Sequence, residues 1–355
     1  MHKIRLAIAG CGLIAPKKHI PSLIRLNDKV EIVALCDLNE IVVKKAAEKF
    51  GVKKYYTSFS EMLSGENPDV VDICTPPQTH AKLAMEALEM GCHVILEKPM
   101  ALSLKDCDAI IQTAIKCSKR VGVIHNQLFN PAMLEAVNIV NSGKIGDFLG
   151  IQILLSTPTD YMTSSKDHWA HKLPGGVLGE TGPHSVYLTT AFLKNIYDVD
   201  VCAKKLLTEY PWSVSEDFRI NFFAENGIGT VTQIYGSNQW AAEVEVFCTR
   251  GILKIDLQNK SVIKYNRPKL SALPLGIGVL ETVSQAVVNL GKTSLSYLAG
   301  RGRDAHFTAI TEFINCAFEN KPFPTTGENG RETIRVMEML VKKLEEKSPK
   351  ILLPK

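Results

Sequence analysis

The sequence predicts two domains: an α/β domain with a doubly wound parallel sheet, and an α+β domain with a large, mostly antiparallel sheet. Short apolar runs alternate with helical patterns over residues 1–126, and glycine, proline or polar residues separate them. From Pro131 onward, six strand-like runs follow, and a single predicted helix separates the first two. The length of 355 residues suits two cores. We therefore assign residues 1–126 to the first domain and 127–355 to the second.

The first domain is predicted to alternate strand and helix. Its apolar runs predict strands at residues 4–8, 30–35, 55–56, 70–74, 93–96 and 121–125. Helical spacing predicts helices at residues 40–50, 80–90 and 103–119. Gly51 and Gly91 close the first two of these helices, and Ser103 with Asp106 resembles a capping box that opens the third. This order implies right-handed crossovers and a ligand site at the carboxyl ends of the strands.

The second domain is predicted from runs joined by short polar or glycine turns. Strands are expected at residues 148–155, 199–207, 218–224, 229–235, 244–248 and 252–257. Helices are expected at residues 131–141, 177–192, 305–319 and 328–346, and the last two could pack back on the first domain. When helices cover one face of a sheet, the other face is available to pack against a second subunit. We therefore expect a homodimer or homotetramer through this sheet.

Residues 270–300 form an insert with helical periodicity. Its apolar residues recur at spacings of three and four, at Leu280, Val283, Val287 and Leu290. Polar residues interrupt this pattern too often for a membrane span, at Glu281, Gln285, Asn289 and Lys292. Packing on its own domain or an oligomer contact is favoured for this helix. A lid and a membrane-surface helix are the alternatives.

Composition argues against several classes of protein. A net charge of +4 is too small and too dispersed for a nucleic-acid surface. The nine cysteines include no C-x-x-C pair, and several sit in apolar runs, which suits a reducing compartment. The chain enters a predicted strand at once, which leaves no room for a signal peptide. We therefore expect a cytoplasmic protein that does not bind nucleic acid and does not span a membrane.

A dinucleotide site is predicted near the N-terminus. Gly10-Cys11-Gly12-Leu13-Ile14-Ala15 follows the first strand as a G-x-G-x-x-A turn, and Asp37 ends the second strand. Gly10 would permit the tight turn, and Gly12 would leave space for a pyrophosphate at the start of a helix. Asp37 would accept hydrogen bonds from ribose hydroxyls and repel a 2′-phosphate. The pattern therefore favours NAD over NADP, and a purely structural turn is the alternative.

Two later stretches carry residue types suited to acid–base chemistry. Lys98 lies in Glu97-Lys98-Pro99 at the end of the fifth predicted strand, where its ammonium could reach a substrate oxygen. Glu180 and His184 are four residues apart, which places them on one face of a helix. A histidine is a natural proton acceptor for a substrate alcohol. A solvated Lys-Pro turn and a structural histidine are the alternatives.

His168, Trp169 and His171 come shortly before a glycine-rich block at residues 175–182. We expect His168 and Trp169 to border a substrate pocket, where the indole could stack on a sugar ring. Together with Glu180 and His184, the two histidines could be imagined as metal ligands. Their spacings fit no closed zinc pattern, so no metal is predicted.

Taken together, these features resemble the Gfo/Idh/MocA family of NAD(P)-dependent oxidoreductases. The resemblance rests on the stretches at residues 9–15, 72–80, 91–99, 175–184 and 327–330. It implies a Rossmann domain followed by an oligomer-forming sheet domain, and hydride transfer at a carbon of a sugar or polyol. It also implies that Lys98, His184 and Glu180 are catalytic, and Glu180 stands where many members have Asp.

The resemblance further implies which residues meet the ligands. The predicted cofactor-binding residues are Gly10, Gly12, Leu13, Ile14, Asp37, Thr75, Pro76, His80, Glu97, Lys98 and Asn126. The predicted substrate-binding residues are Lys98, His125, His168, Trp169, Glu180 and His184. Pro183 is expected to bend the start of the helix that carries His184. A redox-neutral sugar enzyme that uses NAD transiently, and a non-catalytic NAD-binding regulatory subunit, are the alternative functions.

Overall fold

The computed structural model describes residues 3–267, 269–298 and 304–347, including the side chains of all of these except residues 296–298. The parts of the predicted insert 270–300 and of the predicted domains that fall on other residues lie outside this description. The chain divides into two compact units. The first combines the residues up to Asn126 with Asp304–Arg335, and the second combines Gln127–Arg303 with the residues from Val336 onward.

The first unit is built on a parallel sheet of six strands. They are β1 (Ile4–Ala9), β2 (Val30–Cys36), β3 (Tyr55–Tyr56), β4 (Val70–Ile73), β5 (His93–Glu97) and β6 (Val121–Ile124). Their order across the sheet is β3-β2-β1-β4-β5-β6, and each neighbouring pair is parallel. The direction of winding reverses between β1 and β4, which is where such sheets bind ligands. This confirms the predicted doubly wound α/β fold.

The helices between the strands of this unit begin and end at residues that favour helix termini. They are α1 (Ile20–Ile24), which continues a π-helical turn (Ala15–His19), α2 (Glu40–Phe50), α3 (Phe59–Glu66), α4 (Pro77–Glu89) and α5 (Leu104–Lys116). Asn39 caps α2, and Gly51 ends it in the left-handed conformation with φ 69°. The Ser103 hydroxyl accepts a hydrogen bond from the N–H of Asp106, which confirms the predicted cap of α5.

Two strands of this sheet, β4 at its centre and β6 at its edge, are buried on both faces. All residues of β4 and β6 are buried, so the strands appear in the sequence as unbroken apolar runs rather than alternating ones. Asp72 in β4 breaks that rule, because its carboxylate is only 2% exposed. A buried carboxylate requires partners.

The second unit contains a seven-stranded sheet. Its strands are β7 (Phe148–Ser156), β8 (Ile196–Lys204), β9 (Asp217–Ala224), β10 (Gly227–Ile234), β11 (Ala241–Cys248), β12 (Gly251–Asp256) and β13 (Ser261–Tyr265). The order across the sheet is β13-β12-β11-β7-β10-β9-β8. The β7–β10 pair is parallel and the other five pairs are antiparallel. The predicted large, mostly antiparallel sheet is therefore confirmed.

Three helices complete the middle of the chain: α6 (Pro131–Asn141), α7 (Val177–Thr190) and α8 (Ala272–Leu298). Helix α7 begins after Gly175 and Gly176, whose φ angles of 80° and 62° favour glycine. Pro183 lies inside α7, six residues after its first residue Val177. The expectation that Pro183 bends the start of this helix is therefore wrong, because the two glycines define that start.

The last two helices are α9 (Ala305–Phe318) and α10 (Gly327–Lys347). Helix α9 belongs to the first unit, and it contacts α1 and the π-helical turn before it. The side chain of Asp304 caps α9 by accepting from the N–H of Phe307, and it also pairs with Lys18 at 2.7 Å. Helix α10 contributes its residues up to Arg335 to the first unit.

Several elements differ from the predictions, and β8 begins and ends three residues earlier than expected. Helix α3 was not predicted, because Ser60, Ser64 and Gly65 have low helix propensity. Strand β13 was not predicted, because its five residues are too few to set a period. Helix α4 begins at Pro77, three residues earlier than predicted, since proline is well suited to the first position of a helix.

Candidate active site

The glycine-rich loop after β1 is held by backbone contacts at Gly10. Its N–H donates to the Cys36 carbonyl oxygen at 2.8 Å, and its φ is 93°. A Cβ at this position would lie 2.7 Å from the Cys74 carbonyl carbon and from the Thr75 nitrogen. Glycine is therefore required at position 10 by the protein itself, both for its φ and for the close approach of the turn after β4.

Gly12, unlike Gly10, has open space beside it. It is exposed, and a Cβ built on it would meet no atom of the described structure within 4 Å. Leu13 beside it is 60% exposed, and Ile14 leads into the π-helical turn. Pro16 in that turn has no N–H, so the N–H groups of the preceding loop residues are the donors offered to an anion. The open space over Gly12 fits a pyrophosphate that approaches the backbone.

The carboxylate of Asp37, at the end of β2, is fixed beside this loop. Its Oδ2 accepts a hydrogen bond from the Cys11 N–H at 2.8 Å, and its Oδ1 accepts one from the Asn39 N–H at 2.9 Å. Each carboxylate oxygen can accept more than one hydrogen bond, so the group can also accept from a diol. The loop and Asp37 together therefore fit the diphosphate and ribose of NAD.

The turn after β4 carries the predicted residues Thr75, Pro76 and His80. The Thr75 hydroxyl accepts from the Thr79 hydroxyl at 2.7 Å, and Pro76 precedes the first residue of α4. The His80 side chain is fully buried, and its ring nitrogens lie 2.8 Å and 2.9 Å from the carbonyl oxygens of Thr75 and Pro99. Its burial lowers its pKa. His80 therefore joins two turns of the site, and its part in cofactor binding stays a prediction.

A buried charged network lies at the ends of β4 and β5. The His19 ring is fully buried, with Nδ1 2.8 Å from Asp72 Oδ2 and Nε2 2.9 Å from Glu97 Oε1. Burial alone would lower the pKa of His19, but the facing Asp72 carboxylate more than reverses this, and the pKa is raised well above its usual value. His19 is therefore a buried cation between two carboxylates.

Glu97 links this network to Lys98. Burial would raise the pKa of Glu97, but the hydrogen bond from His19 outweighs it, and the pKa is lowered to about 2. The other carboxylate oxygen, Oε2, accepts a hydrogen bond from the backbone N–H of Lys98 at 3.0 Å. The Lys98–Pro99 peptide bond that follows is cis. The backbone of Lys98 is thus anchored to a buried carboxylate at the carboxyl end of β5.

Two further histidines approach Glu97. His306 Nε2, from α9, lies 3.8 Å from Glu97 Oε1, and burial lowers the pKa of His306 to about 4. His125, just after β6, is 2% exposed, and burial lowers its pKa to about 3. The Asn126 side-chain amide lies 3.4 Å from the His306 ring. These histidines are neutral at pH 7, which leaves His19 as the histidine that supplies positive charge to this group.

His19, Asp72 and Cys74 lie close enough together to hold a metal ion: one ligand atom from each lies within 4.8 Å of the others. Their contacts favour a hydrogen-bonded network instead. Both nitrogens of His19 face carboxylates, and the Cys74 thiol lies 3.7 Å from Asp72 Oδ1 as a donor. Burial raises the pKa of Cys74, so its sulfur stays protonated at neutral pH.

In the second unit, α7 carries His184 and Glu180 one turn apart. The His184 Nδ1 atom is hydrogen-bonded to the Tyr187 hydroxyl, which also accepts from the Gln127 N–H at 3.3 Å. Tyr187 is 1% exposed, so this contact orients the imidazole from the buried side. Glu180 lies in the first turn of α7 and is half-buried.

A buried polar cluster fixes α7 against the sheet of its own unit. The Gln233 amide donates to the hydroxyls of Thr181 and Tyr235 at 2.7 Å each, and it accepts from the Ser185 hydroxyl at 3.0 Å. Gln233, Ser185 and Tyr235 are almost completely buried. Such a network permits one register of helix on sheet, and so fixes where Glu180 and His184 point.

The predicted pocket residues His168 and Trp169 lie on a short 3₁₀ helix, Trp169–Lys172. His168 caps it by accepting from the Ala170 N–H at 3.2 Å, and its ring stacks on that of Trp169 at 5.6 Å. Burial lowers the pKa of His168, and the carboxylate of Glu180 opposes that shift. The structure therefore places His168 near Glu180. His171, by contrast, faces the carbonyl oxygens of Met162 and Ser165.

Four residues of the site were not predicted from the sequence: His19, Asp72, His306 and Tyr187. His19 is 53 residues from Asp72 and 78 from Glu97, so no local motif joins them. One signal was available: an aspartate in the middle of the apolar run Val70–Ile73 must be paired when that strand is buried. Tyr187 follows His184 at a spacing of three, which places the two side chains together on a helix.

Fold and site define a dinucleotide-binding α/β oxidoreductase. Residues 4–125 match the sequence model described as the oxidoreductase family with an NAD-binding Rossmann fold, and residues 133–254 match that of the Gfo/Idh/MocA C-terminal domain. The two matches together cover more than half of the chain. The chain belongs to the Gfo/Idh/MocA family, and its first unit contains the family's NAD-binding Rossmann domain.

Several relatives are dehydrogenases. Myo-inositol 2-dehydrogenase of Thermotoga maritima is 22% identical over 352 residues, which is 97% of each chain. D-glucoside 3-dehydrogenase of Escherichia coli K12 is 33% identical over 144 residues, 41% of each chain. Oxidoreductase P35 of Formosa agariphila is 26% identical over 203 residues, 56% of this chain and 63% of that protein. The matches to the last two thus span less than two thirds of those relatives.

Solved structures share the whole architecture. The oxidoreductase domain protein of Kribbella flavida has a TM-score of 0.81 at 20% identity and covers 98% of each chain. The WlbA dehydrogenase of Bordetella pertussis, solved with NADH and UDP-GlcNAcA, has a TM-score of 0.78 at 18% identity. That match covers 98% of this chain and 97% of WlbA. At these identities the likeness shows the fold alone.

Proposed function

We propose that this protein is an NAD-dependent dehydrogenase acting on a hydroxyl-bearing carbon of a sugar, a sugar derivative or a polyol. The observation that carries the proposal is the anchoring of Lys98. Its backbone N–H is bonded to the buried Glu97 carboxylate at the end of β5, in the same unit as the Gly12 loop. The membership of a family with sugar-dehydrogenase relatives supports the substrate class.

The cofactor is proposed to be NAD rather than NADP. Two backbone N–H groups hold the Asp37 carboxylate beside the loop, and its charge would repel a 2′-phosphate. The loop N–H groups around Gly12 would bind the pyrophosphate, and the Asp37 oxygens would accept from the ribose hydroxyls. NAD bound there supplies the acceptor or donor of a hydride.

Lys98 is proposed to hold the reacting oxygen of the substrate. An ammonium group donates hydrogen bonds and stabilises negative charge that develops on an alcohol oxygen as the C–H bond is broken. The rigid support from Glu97 and His19 suits this role, since a group that acts on developing charge must not move during the reaction. His125 and Asn126, which follow the end of β6, are proposed to line the site around Lys98.

His184 is proposed to accept the hydroxyl proton at Nε2 during oxidation and to return it during reduction. This role requires Nδ1 to carry its own proton and donate it to the Tyr187 oxygen. Glu180 is proposed to accept hydrogen bonds from neighbouring substrate hydroxyls. His168 and Trp169 are proposed to border the substrate, with the indole available for stacking on a sugar ring.

We further propose that the protein works in the cytoplasm as a homo-oligomer formed through the sheet of the second unit. One face of an antiparallel sheet carries its helices, and a second copy is a common cover for the other.

A substrate panel tests the proposed activity. The protein is incubated with NAD⁺ and with sugars, nucleotide sugars and polyols, and NADH absorbance and the products are followed together. We expect NADH to appear in proportion to a ketone or aldehyde product, and faster with NAD⁺ than with NADP⁺. Conversion of a substrate with no net NADH would contradict a dehydrogenase and indicate redox-neutral chemistry. Tight NADH binding with no turnover across the panel would indicate a regulatory subunit.

A further inference from the structure

Helix α8 lies along the free edge of the second unit's sheet and is attached there by polar side chains. The Gln285 amide accepts from the Lys264 N–H at 2.9 Å and donates to the Lys264 carbonyl oxygen at 3.1 Å. Asn289 donates to the Val262 carbonyl oxygen at 2.9 Å. The Thr293 hydroxyl donates to the Asn259 carbonyl oxygen at 3.3 Å. The polar stripe that interrupts the apolar pattern therefore faces β13.

The opposite side of α8 is apolar and exposed. At 100° per residue, the residues farthest from Gln285 are apolar or small. The large ones among them, with exposed fractions from 52% to 75%, are Leu273, Val279, Leu280, Val283, Val287 and Leu290. The two charged residues of the helix, Glu281 and Lys292, lie on the same half as Gln285.

This arrangement reverses the usual orientation of a surface helix. A helix that packs on its own domain turns its apolar stripe inward and its polar stripe to water. Here the polar stripe satisfies the backbone of an edge strand, and an apolar face from Leu273 to Leu290, about 26 Å long at 1.5 Å per residue, points outward. An exposed apolar surface of this extent marks a binding surface.

The charge around α8 decides between possible occupants. Between Asp256 and Asp304 the sequence has seven basic residues and one acidic residue, a formal charge of +6. The whole chain carries +4, so all the other residues together carry −2. Of these basic residues, Lys264, Arg267, Lys269 and Lys292 are exposed in the structure. A second copy docked face to face on α8 would bring two such segments together, whereas an anionic surface would be attracted.

We propose that the apolar face of α8, together with the positive charge of the segment around it, docks the protein on an anionic lipid bilayer. The helix lies in the plane of the interface, with Val283 and Val287 among the acyl chains, while the net positive charge of the surrounding segment draws it to anionic headgroups. By length and composition alone, Ala272–Leu295 is also apolar enough to cross a membrane. Its side-chain bonds to β13 hold it along the sheet edge, which suits an interfacial helix and not a span.

Vesicle sedimentation tests this proposal on the full chain. The probes are vesicles of phosphatidylcholine alone and of phosphatidylcholine with one phosphatidylglycerol in three lipids. We expect binding to the anionic vesicles at least about tenfold tighter than to the neutral ones, and weaker at high salt. The test variant is Val283→Glu with Val287→Glu, which places two charges on the outer face. The control is Ile115→Glu with Leu206→Glu, which changes two exposed residues elsewhere by the same charge.

The double variant at Val283 and Val287 should lose at least about tenfold in vesicle affinity, while the control stays within about twofold of wild type. NADH affinity, measured on all three proteins, should be unchanged and reports that each is folded. Wild-type protein that does not bind anionic vesicles would overturn the proposal, as would equal binding by the test variant. Light scattering tests the rival occupant, a second copy of the chain. If the wild type does not bind vesicles, and the test variant forms a smaller oligomer than the wild type, the apolar face of α8 is a contact between subunits.

Discussion

The two glycines of the N-terminal loop should respond to the same substitution in opposite ways. At Gly12 the φ is ordinary and a Cβ would meet no described atom within 4 Å. Gly12→Ala should therefore leave the free energy of unfolding unchanged or raise it by about 0.4–1 kcal/mol, because alanine restricts the unfolded chain. The methyl group would occupy the space proposed for the pyrophosphate. NADH affinity should fall by roughly tenfold or more, which is about 1.4 kcal/mol.

At Gly10 the methyl group would meet the protein itself. The φ of 93° costs a non-glycine residue about 1–3 kcal/mol, and overlap at 2.7 Å with the backbone of Cys74 and Thr75 adds about 1–3 kcal/mol. Gly10→Ala should therefore lower the free energy of unfolding by roughly 2–6 kcal/mol.

Urea unfolding and calorimetric titration with NADH measure the two effects separately. Gly276→Ala is the matched control, since Gly276 also has an ordinary φ and nothing within 4 Å of its Cβ position, and it lies in α8. It should leave NADH affinity unchanged. The reasoning is refuted if Gly12→Ala binds NADH as wild type does, or if it destabilises the protein as much as Gly10→Ala.

Three further predictions concern charges. Asp37→Asn should raise the affinity for NADPH relative to NADH by roughly tenfold in paired titrations, and an unchanged ratio would exclude Asp37 as the selector. His19→Gln removes the cation between two buried carboxylates, and should lower the free energy of unfolding by about 3–5 kcal/mol in urea; a loss under about 1 kcal/mol would contradict the assigned network. Burial lowers the pKa of His306 from 6.5 to about 4, so His306 stabilises the fold above pH 6.5 and that contribution is lost as pH falls towards 4. His306→Asn should therefore reduce the acid-induced loss of stability between pH 7 and pH 5 by about 2 kcal/mol, and an unaltered pH profile would argue against a buried neutral imidazole.

The fold could be predicted from sequence because its signals are local. Alternating apolar runs, the glycine loop, the closing Gly51 and the cap at Ser103 act over a few residues, and the structure confirms the elements they predict. The carboxyl ends of parallel strands share one edge, which is why residues as distant as Gly10 and Lys98 could be placed in one unit. Strand β13 and helix α3 were missed because they are short or weak in propensity.

The buried residues that hold the candidate active site in place could not be predicted in the same way. His19, Asp72 and His306 come from separate elements, and their contacts depend on how those elements pack. Helix α8 shows the same limit: its periodicity was visible, but the direction of its polar stripe was not. Gln285 and Asn289 face β13 because an edge strand presents backbone groups that need partners, and that requirement is visible only when the strand is known.

Lys98→Met is the decisive variant for the proposed active site, measured on the substrate that the panel identifies. NADH affinity and single-turnover hydride transfer are measured on the same preparation, with the exposed Lys105→Met as a control for loss of a lysine. Because the loop and Asp37 are untouched, NADH affinity should stay within about twofold of wild type. The rate of hydride transfer should fall by roughly a hundredfold or more, the usual scale for a group that assists proton transfer. Hydride transfer at the wild-type rate would contradict the proposed role of Lys98 and with it the proposed active site.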